Sequence, residues 1–300
     1  MIECADCLCC SLLLLILLPE ISHAADSTEA VPLRVMTYNV RYDASEDTGA
    51  VDWENRRDKV ASMIRFHDAH VVGTQEGKLH QLMDLEDRLS GYEWIGVGRR
   101  SGGDEFSALF YDTNRLTLLD HDTFWLSTTP NEPGSKSWGA AFPRIATWAR
   151  FRDQRSEDTL FVLNTHFDHE SEEARAKSAR FIAETVGALS EDDPVVVMGD
   201  FNALPSAPPY QILTRSGEGA PPVPLRDAME ASEQLHHGPV STYNHFESTV
   251  QPNRRLDYIF VGPRLAVRQH GHLSSRWDGQ YPSDHLPVLA EVVIRQSKGN

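Results

Sequence analysis

The sequence predicts an α/β fold in which two mixed β-sheets pack together and helices cover their outer faces. Short apolar runs alternate with segments of helical periodicity between residues 33 and 294. Polar residues stand at both ends of these runs, with Asn39 and Asp200 at C-terminal ends and Asp257 at an N-terminal start. These residues can meet only if some strands are antiparallel to others. The pattern therefore favours layered sheets over an all-parallel (β/α)8 barrel.

The first half of the chain alternates strands and helices. Residues 33–40 alternate as a half-buried strand does, and residues 54–66 carry apolar side chains at helical spacing. The elements that follow are a short strand, a helix and three further strands, at 70–76, 78–89, 106–112, 116–126 and 144–151. Turn residues separate the last three, which is typical of successive antiparallel strands.

The second half repeats this rhythm. It contains one long helix, a loop rich in glycine and proline, and five strands; the helix is at 171–189, the loop at 216–224, and the strands at 159–167, 194–202, 254–261, 264–271 and 287–294. No linker or charge run separates the halves. We therefore expect one domain over residues 26–300, with a loose internal duplication.

The first 25 residues have the pattern of a secretory signal peptide. The apolar block "SLLLLILLP" precedes "ISHAAD", which offers a small-residue cleavage site near Ala24 or Ala25. A block this short does not span a bilayer, so we expect no membrane span in the mature chain and a periplasmic or secreted protein. All four cysteines lie before the block, and a mature chain without them has no thiol ligands.

The charge balance argues against polyanionic partners. The formal net charge is −16, and loss of Glu3, Asp6 and Glu20 with the leader would bring it to −13. Such a surface repels nucleic acid backbones and anionic membranes over long distances, although a local basic patch can override it. We expect a monomer that acts on a small molecule or headgroup, with nucleic acid as the alternative partner.

The segment "YPSDHLPV" places Asp284 and His285 just before the last strand. A carboxylate such as Asp257 that accepts from one ring nitrogen of His285 would fix its tautomer and favour the imidazolium. Together with Glu76 and Asp200, this pocket would hold four carboxylates, whose repulsion a divalent cation relieves. Oxygen ligands without cysteine fit Mg²⁺ better than zinc, with Mn²⁺ and Ca²⁺ as alternatives.

The sequence resembles the endonuclease/exonuclease/phosphatase superfamily of DNase I-like proteins. Six motifs occur in the order and approximate spacing of that superfamily. They are "MTYNVRYD", "VVGTQE", "LNTHFDH", "MGDFNALP", "LDYIFV" and "YPSDHLPV". The resemblance covers about residues 33–295. It implies a four-layered α/β/β/α sandwich and Mg²⁺-dependent hydrolysis of phosphoesters.

The resemblance also implies a role for each matching residue. The metal ligands would be Glu76 first, then Asn39 and Asp284. The catalytic set would be Asp200 to orient or deprotonate water, Asn202 to hold a phosphate oxygen, His285 oriented by Asp257 to stabilise the transition state, and His166 near the phosphate or leaving group. Arg144 would clamp phosphate. Arg41 stands where some members carry a carboxylate, which suggests one metal site and a further phosphate contact.

These expectations describe a phosphoesterase, with a diester as the expected substrate. A secreted nuclease acting on DNA or RNA is the alternative within the same chemistry. A glycosidase with paired carboxylates would keep working in EDTA. A binding module on an inactive scaffold would turn over no phosphoester.

Overall fold

The computed structural model describes Met1 and residues 31–101, 104–247 and 250–295. Two six-stranded sheets face each other within these residues. The first contains β1 (Leu33–Asn39), β2 (Val71–Gln75), β3 (Tyr92–Ile95), β4 (Leu109–Asp112), β11 (Leu265–His272) and β12 (Val288–Ile294). The second contains β5 (Leu116–Trp125), β6 (Ile145–Asp153), β7 (Thr159–His166), β8 (Val195–Asp200), β9 (Arg226–Asp227) and β10 (Asp257–Val261).

The two sheets repeat one arrangement. Their strand orders are β11-β12-β1-β2-β4-β3 and β5-β6-β7-β8-β10-β9. Each has a central parallel pair, β1 with β2 and β7 with β8, flanked by antiparallel strands. Each parallel pair is joined by a crossover helix, α1 (Trp53–Phe66) in the first sheet and α3 (Glu172–Leu189) in the second. The predicted mixed sheets are confirmed.

Three hydrophobic clusters separate four layers. One lies between the sheets and includes Val35, Val162 and Val196. A second packs β1 and β2 against α1 and α2 (Leu79–Glu86), and a third packs the second sheet against α3 and α4 (Pro208–Thr214). Alternation along each strand supplies both faces, as with Val35 inward and Met36 outward on β1. The predicted α/β/β/α sandwich is confirmed.

Several short elements were not predicted from the sequence. They are β3, β9, α4, α5 (Ala228–Ala231) and a 3-10 turn at Gly49–Val51. Most of them are too short to show a helical or strand periodicity of apolar residues. The exception is α4, which begins with two prolines after Ala207, a recognisable helix start. The predicted signal peptide, apart from Met1, lies outside the described residues. No helix within the described part of the chain is long and apolar enough to cross a membrane.

A buried ion pair fastens β6 to the start of β5. Arg115 Nε and Nη2 each donate to Asp153 at 2.7 Å, and both residues are almost wholly buried. Burial raises the pKa of Asp153, but the Arg115 hydrogen bonds outweigh it and hold the pKa below its usual value. The pair's contribution to stability is therefore complete at neutral pH and is lost as the pH falls from about 5 downward.

We expect Asp153→Asn to lower the free energy of unfolding by about 3–5 kcal/mol at pH 7, because the Arg115 charge stays buried without its partner. Urea unfolding from pH 7 to pH 3 would measure it, and the difference from wild type should shrink on acidification. Asp122→Asn is the control, since Asp122 is exposed on β5. A difference that does not depend on pH would contradict this account.

Candidate active site

At one rim of the core between the sheets, the inner face of each sheet carries polar side chains at the ends of its strands. On β8, Asp200 pairs in register with His166 on β7 and with Asp257 on β10. These three side chains therefore lie side by side on one face. Asn39 ends β1 of the facing sheet and donates its Nδ2 to Asp200 Oδ2 at 3.1 Å. The structure thus brings together residues that lie up to 218 positions apart, Asn39 and Asp257.

The "MGDFN" segment has a conformation that requires its glycine. Gly199 has φ +151°, and a Cβ there would collide with the carbonyl of Thr165 on β7. Asp200 Oδ1 then accepts from the Asn202 N–H at 2.9 Å, and Asn202 takes a left-handed φ of +47°. This turn directs the Asn202 side chain to His166 Nε2, which lies 3.0 Å from its Nδ2.

One amide links two carboxylates. Asn39 Nδ2 donates to Glu76 Oε1 at 2.9 Å as well as to Asp200 Oδ2. Glu76 stands just beyond β2 with φ +65°, and its Oε2 accepts from the Tyr42 N–H at 3.2 Å. Asn39 Oδ1 accepts from the Arg41 N–H at 3.0 Å. In this orientation Asn39 bridges the carboxylates, and its amide would have to turn for the oxygen to ligate a cation.

His285 is held by a buried carboxylate. Its Nδ1 lies 2.8 Å from Asp257 Oδ2, and its Nε2 lies 3.8 Å from Asp200 Oδ2. Burial alone would lower the pKa of His285, but the charges of Asp257 and Asp200 raise it well above its usual value. His285 is therefore an imidazolium at neutral pH, with its Nε2–H on the side of Asp200.

His166 carries the opposite charge state. Burial and the nearby Arg144 lower its pKa well below the usual value, so its ring is neutral. Because Asn202 Nδ2 can only donate, His166 Nε2 accepts and its proton sits on Nδ1. Asp200 Oδ2 lies 3.6 Å from the same nitrogen. Asp200 thus stands between a charged and a neutral histidine.

The carboxylates fit a divalent cation. One ligand atom from each of Glu76, His166 and Asp200 lies within 4.8 Å of the others. Burial, and then the charge of Asp257, raise the pKa of Asp200 to about 7, and burial also raises the pKa of Asp284, which lines the same cavity. A cation would relieve both effects. The donors are mostly carboxylate oxygens, which hard divalent ions prefer.

These groups line a cavity of about 540 Å³. Four arginines surround it, Arg41, Arg99, Arg144 and Arg254. Tyr42, Phe142 and Tyr243 add aromatic surface. Such a lining suits an anionic substrate with an apolar or planar part.

The two arginines expected to bind phosphate both line the cavity, but each has partners. Arg41 Nε donates to Asp47 at 3.1 Å. Arg144 is almost fully buried, with its Nη2 2.9 Å from His169 Nδ1 and its Nε 3.7 Å from Asp168. Both guanidiniums are thereby fixed in direction at the wall of the cavity.

Three charged residues of the lining, Arg99, Glu105 and Arg254, were not predicted from the sequence. Arg99 donates to Glu105 at 2.8 Å and to Asp104 at 3.1 Å. Burial, and then the charge of Glu76, raise the pKa of Glu105 to about 7. The signal for Arg99 and Glu105 was the charged, glycine-rich segment "GRRSGGDE" before a strand.

Comparisons with known proteins show which family the chain resembles. The sequence profile of the Endonuclease/Exonuclease/phosphatase family matches residues 36–285. A solved member of that family from Bacteroides thetaiotaomicron is 33% identical, with a TM-score of 0.82, and the match covers 89% of this chain and 100% of that one.

A mannosyl-6-phosphatase from the same organism is 34% identical, with a TM-score of 0.80, and the match covers 87% of this chain and 100% of that one. Protein angel of Drosophila melanogaster is 27% identical over 206 residues, which are 64% of this chain and 56% of that protein. The chain spans about half the length of the curated relatives it matches.

Proposed function

Because the chain belongs to the endonuclease/exonuclease/phosphatase family of metal-dependent phosphoester hydrolases, we propose that it is a Mg²⁺-dependent phosphoesterase for compact substrates. The observation that carries this proposal is the position of Asp200. Its Oδ2 lies close to Asn39, His166 and His285, at the wall of a cavity lined by arginines. The family resemblance inferred from the six motifs is confirmed.

Asp200 is the residue that positions and deprotonates the attacking water. Its Oδ1 is fixed by the Asn202 N–H, a hydrogen bond that does not depend on the orientation of the Asn39 amide. A carboxylate fixed in this way holds a water in one direction, which favours in-line attack on phosphorus. Asn202 Nδ2 would hold a phosphate oxygen by giving up one of its two present acceptors, His166 Nε2 at 3.0 Å or the Phe167 carbonyl at 3.1 Å.

His285 stabilises the charge that grows on the phosphoryl oxygens. Asp257 accepts from its Nδ1–H, so the Nε2–H remains available on the cavity side. An oriented imidazolium in a buried site is worth more than the same group in water, because little reorganisation is needed. His166 is neutral, so it adds no positive charge at this point. Its Nε2 instead accepts from Asn202 Nδ2 and keeps that side chain in place.

Glu76, Asp200 and Asp284 would hold the cation, with Asn39 as a further ligand after its amide turns. When bound, Mg²⁺ would neutralise these carboxylates and polarise a phosphoryl oxygen. Mg²⁺ is favoured because the donors are mostly oxygen, and Mn²⁺ and Ca²⁺ are the alternatives.

Substrate choice separates two candidates. The sequence favours a phosphodiester, and that stays a prediction. A phosphomonoesterase acting on a hexose phosphate is the second candidate, supported by the mannosyl-6-phosphatase whose whole length this chain covers at 34% identity. The arginines of the cavity suit either anion.

A substrate panel tests both. We expect Mg²⁺-dependent, EDTA-sensitive hydrolysis of either bis-p-nitrophenyl phosphate or hexose 6-phosphates, with slower degradation of RNA and plasmid DNA. Asp200→Asn serves as the control for contaminating phosphatases. Turnover of none of these substrates, or turnover that EDTA leaves unchanged, would refute the proposal.

Export is a separate proposal, supported by the apolar block and cleavage site in residues 1–25. Cleavage near Ala24 or Ala25 would release the mature enzyme outside the cytoplasm. N-terminal sequencing of the exported protein should begin at that site, and retention of Met1 would contradict it.

A further inference from the structure

Three imidazoles meet on the edge strand of the first sheet, away from the cavity. His270 and His272 are two positions apart on β11, so they share a face, and both are buried. His236 comes from the loop after α5. That loop is fastened to β11, because His237 N donates to His270 O at 3.0 Å and His272 N donates to His237 O at 2.9 Å.

The close approach of this loop requires a glycine. Gly238 has φ +88°, and a Cβ there would collide with the His272 carbonyl. The fit brings His236 over the two strand histidines, with ring centroids 5.2 Å from His270 and 4.5 Å from His272.

One carbonyl fixes the tautomers of two of these rings. Pro239 O lies 2.7 Å from His272 Nδ1 and 3.2 Å from His236 Nε2. A carbonyl oxygen only accepts, so both nitrogens carry protons. In the neutral rings, the lone pairs are then on His272 Nε2 and His236 Nδ1. A backbone carbonyl that accepts from the far nitrogen is the usual support of a metal-binding histidine.

Two nitrogens of the cluster lack a partner among the described residues. His236 Nδ1 lies 3.0 Å from His270 Nδ1, and since the former carries a lone pair, the latter donates in the metal-free state. His270 Nε2 and His272 Nε2 are then buried lone pairs with nothing to accept from. Buried polar atoms rarely lack a hydrogen-bond partner in folded proteins. Burial lowers the pKa of His270 to about 3 and that of His272 to about 2, so neither is protonated at neutral pH.

We propose that His236, His270 and His272 form a second metal site, which binds a divalent transition ion such as Zn²⁺. One nitrogen from each ring lies within 4.8 Å of the others. Neutral imidazoles are suitable ligands for Zn²⁺ and other divalent transition ions, whereas the carboxylate-rich cavity suits harder ions. Arg255, whose charge acts on all three rings, donates two 2.7 Å hydrogen bonds to Asp227, which partly offset that charge.

The bound ion would tie the loop to the edge strand. Three protein ligands leave a tetrahedral ion one position for water or a small anion. Because the ion binds the folded chain, it should raise the unfolding temperature. This role does not depend on the proposed phosphoesterase activity.

Zn²⁺ binding to the full chain tests the site, once the four cysteines, which would also bind Zn²⁺, have been alkylated and bound metals removed. Excess Mg²⁺ is then added to fill the cavity. We expect one Zn²⁺ per chain and a rise in unfolding temperature. Both should be lost in His236→Gln and retained in His121→Gln, which changes an exposed histidine on β5. Wild-type binding in His236→Gln, or no Zn²⁺ bound by the wild type, would overturn the proposal.

Co²⁺ in place of Zn²⁺ gives a reading that does not depend on the variant's folding. A tetrahedral site with nitrogen ligands should absorb strongly in the visible range, and the weak absorption of an octahedral oxygen site would overturn the assignment. Phosphoesterase activity should be unchanged in His236→Gln. If that activity were absent from the wild type as well, the proposed function would fail while the Zn²⁺ result would stand.

Discussion

Asp200→Asn is expected to lower kcat by about 10²–10⁴-fold, the usual contribution of a positioned general base. The amide cannot take the proton of the attacking water, although it can still accept from Asn39 Nδ2 or the Asn202 N–H. Steady-state kinetics on the best substrate of the panel would measure the loss. KM should change much less than kcat, because the arginines that line the cavity are untouched.

The same variant should be more stable than wild type in EDTA. Burial and the charge of Asp257 raise the pKa of Asp200 to about 7, above that of an unfolded aspartate, so the metal-free fold loses stability as the pH rises from about 4, and the penalty is complete above about 7. Removing the charge removes this penalty. Asp122→Asn is the control for both measurements. Wild-type kcat in Asp200→Asn, with the metal-free protein no more stable, would show that Asp200 is neither the base nor a strained carboxylate.

Strand periodicity explains which site residues the sequence could identify. An inward side chain at the C-terminal end of a strand must lie at the rim of the inter-sheet core, which holds for Asn39, His166 and Asp200. The same rule predicts the position of Asp257. Its strand runs antiparallel to β8, so the first residue of that strand, rather than the last, lies at this rim. The positions of these residues were therefore predictable before any coordinates.

Loop residues have no such rule. Arg99 and Glu105 reach the cavity because they pair with each other at 2.8 Å in the segment between β3 and β4. The pairing depends on tertiary contacts, and no periodicity encodes it. Arg41 shows the same limit: its phosphate contact stays a prediction, and its Nε donates at 3.1 Å to Asp47, a partner that the sequence did not indicate.

Contacts between the sheets are also invisible in sequence. Gln75 Nε2 on β2 donates to Asn164 Oδ1 on β7 at 2.6 Å, and Asn164 Nδ2 donates to the Ala108 carbonyl at 2.9 Å. This buried network joins the two sheets near the ends of the strands that carry the site. Hydrogen bonds in such an environment are costly to leave unpaired, so they fix how the sheets sit against each other. Gln75 precedes Glu76, and the network thus helps to place the carboxylate.

Glu76→Gln is expected to weaken Mg²⁺ binding by at least about tenfold, since even residues that only support a metal ligand contribute that much. Glutamine keeps the length of the side chain and one acceptor, but it lacks the charge that attracts the cation. Its amide would also face one of the two donors, Asn39 Nδ2 or the Tyr42 N–H, that now serve the carboxylate. Titration calorimetry and the Mg²⁺ dependence of kcat would measure the change.

Excess Mg²⁺ should partly restore kcat in Glu76→Gln but not in Asp200→Asn, because Asp200→Asn removes the general base as well as a metal ligand, and added Mg²⁺ cannot replace the base. The matched control is Glu54→Gln, an exposed carboxylate on α1. In wild type, Mg²⁺ should raise the unfolding temperature by relieving the repulsion among Glu76, Asp200 and Asp284, and this rise should be smaller in Glu76→Gln. Equal Mg²⁺ affinity in Glu76→Gln and wild type would place the cation elsewhere and remove Glu76 from its coordination.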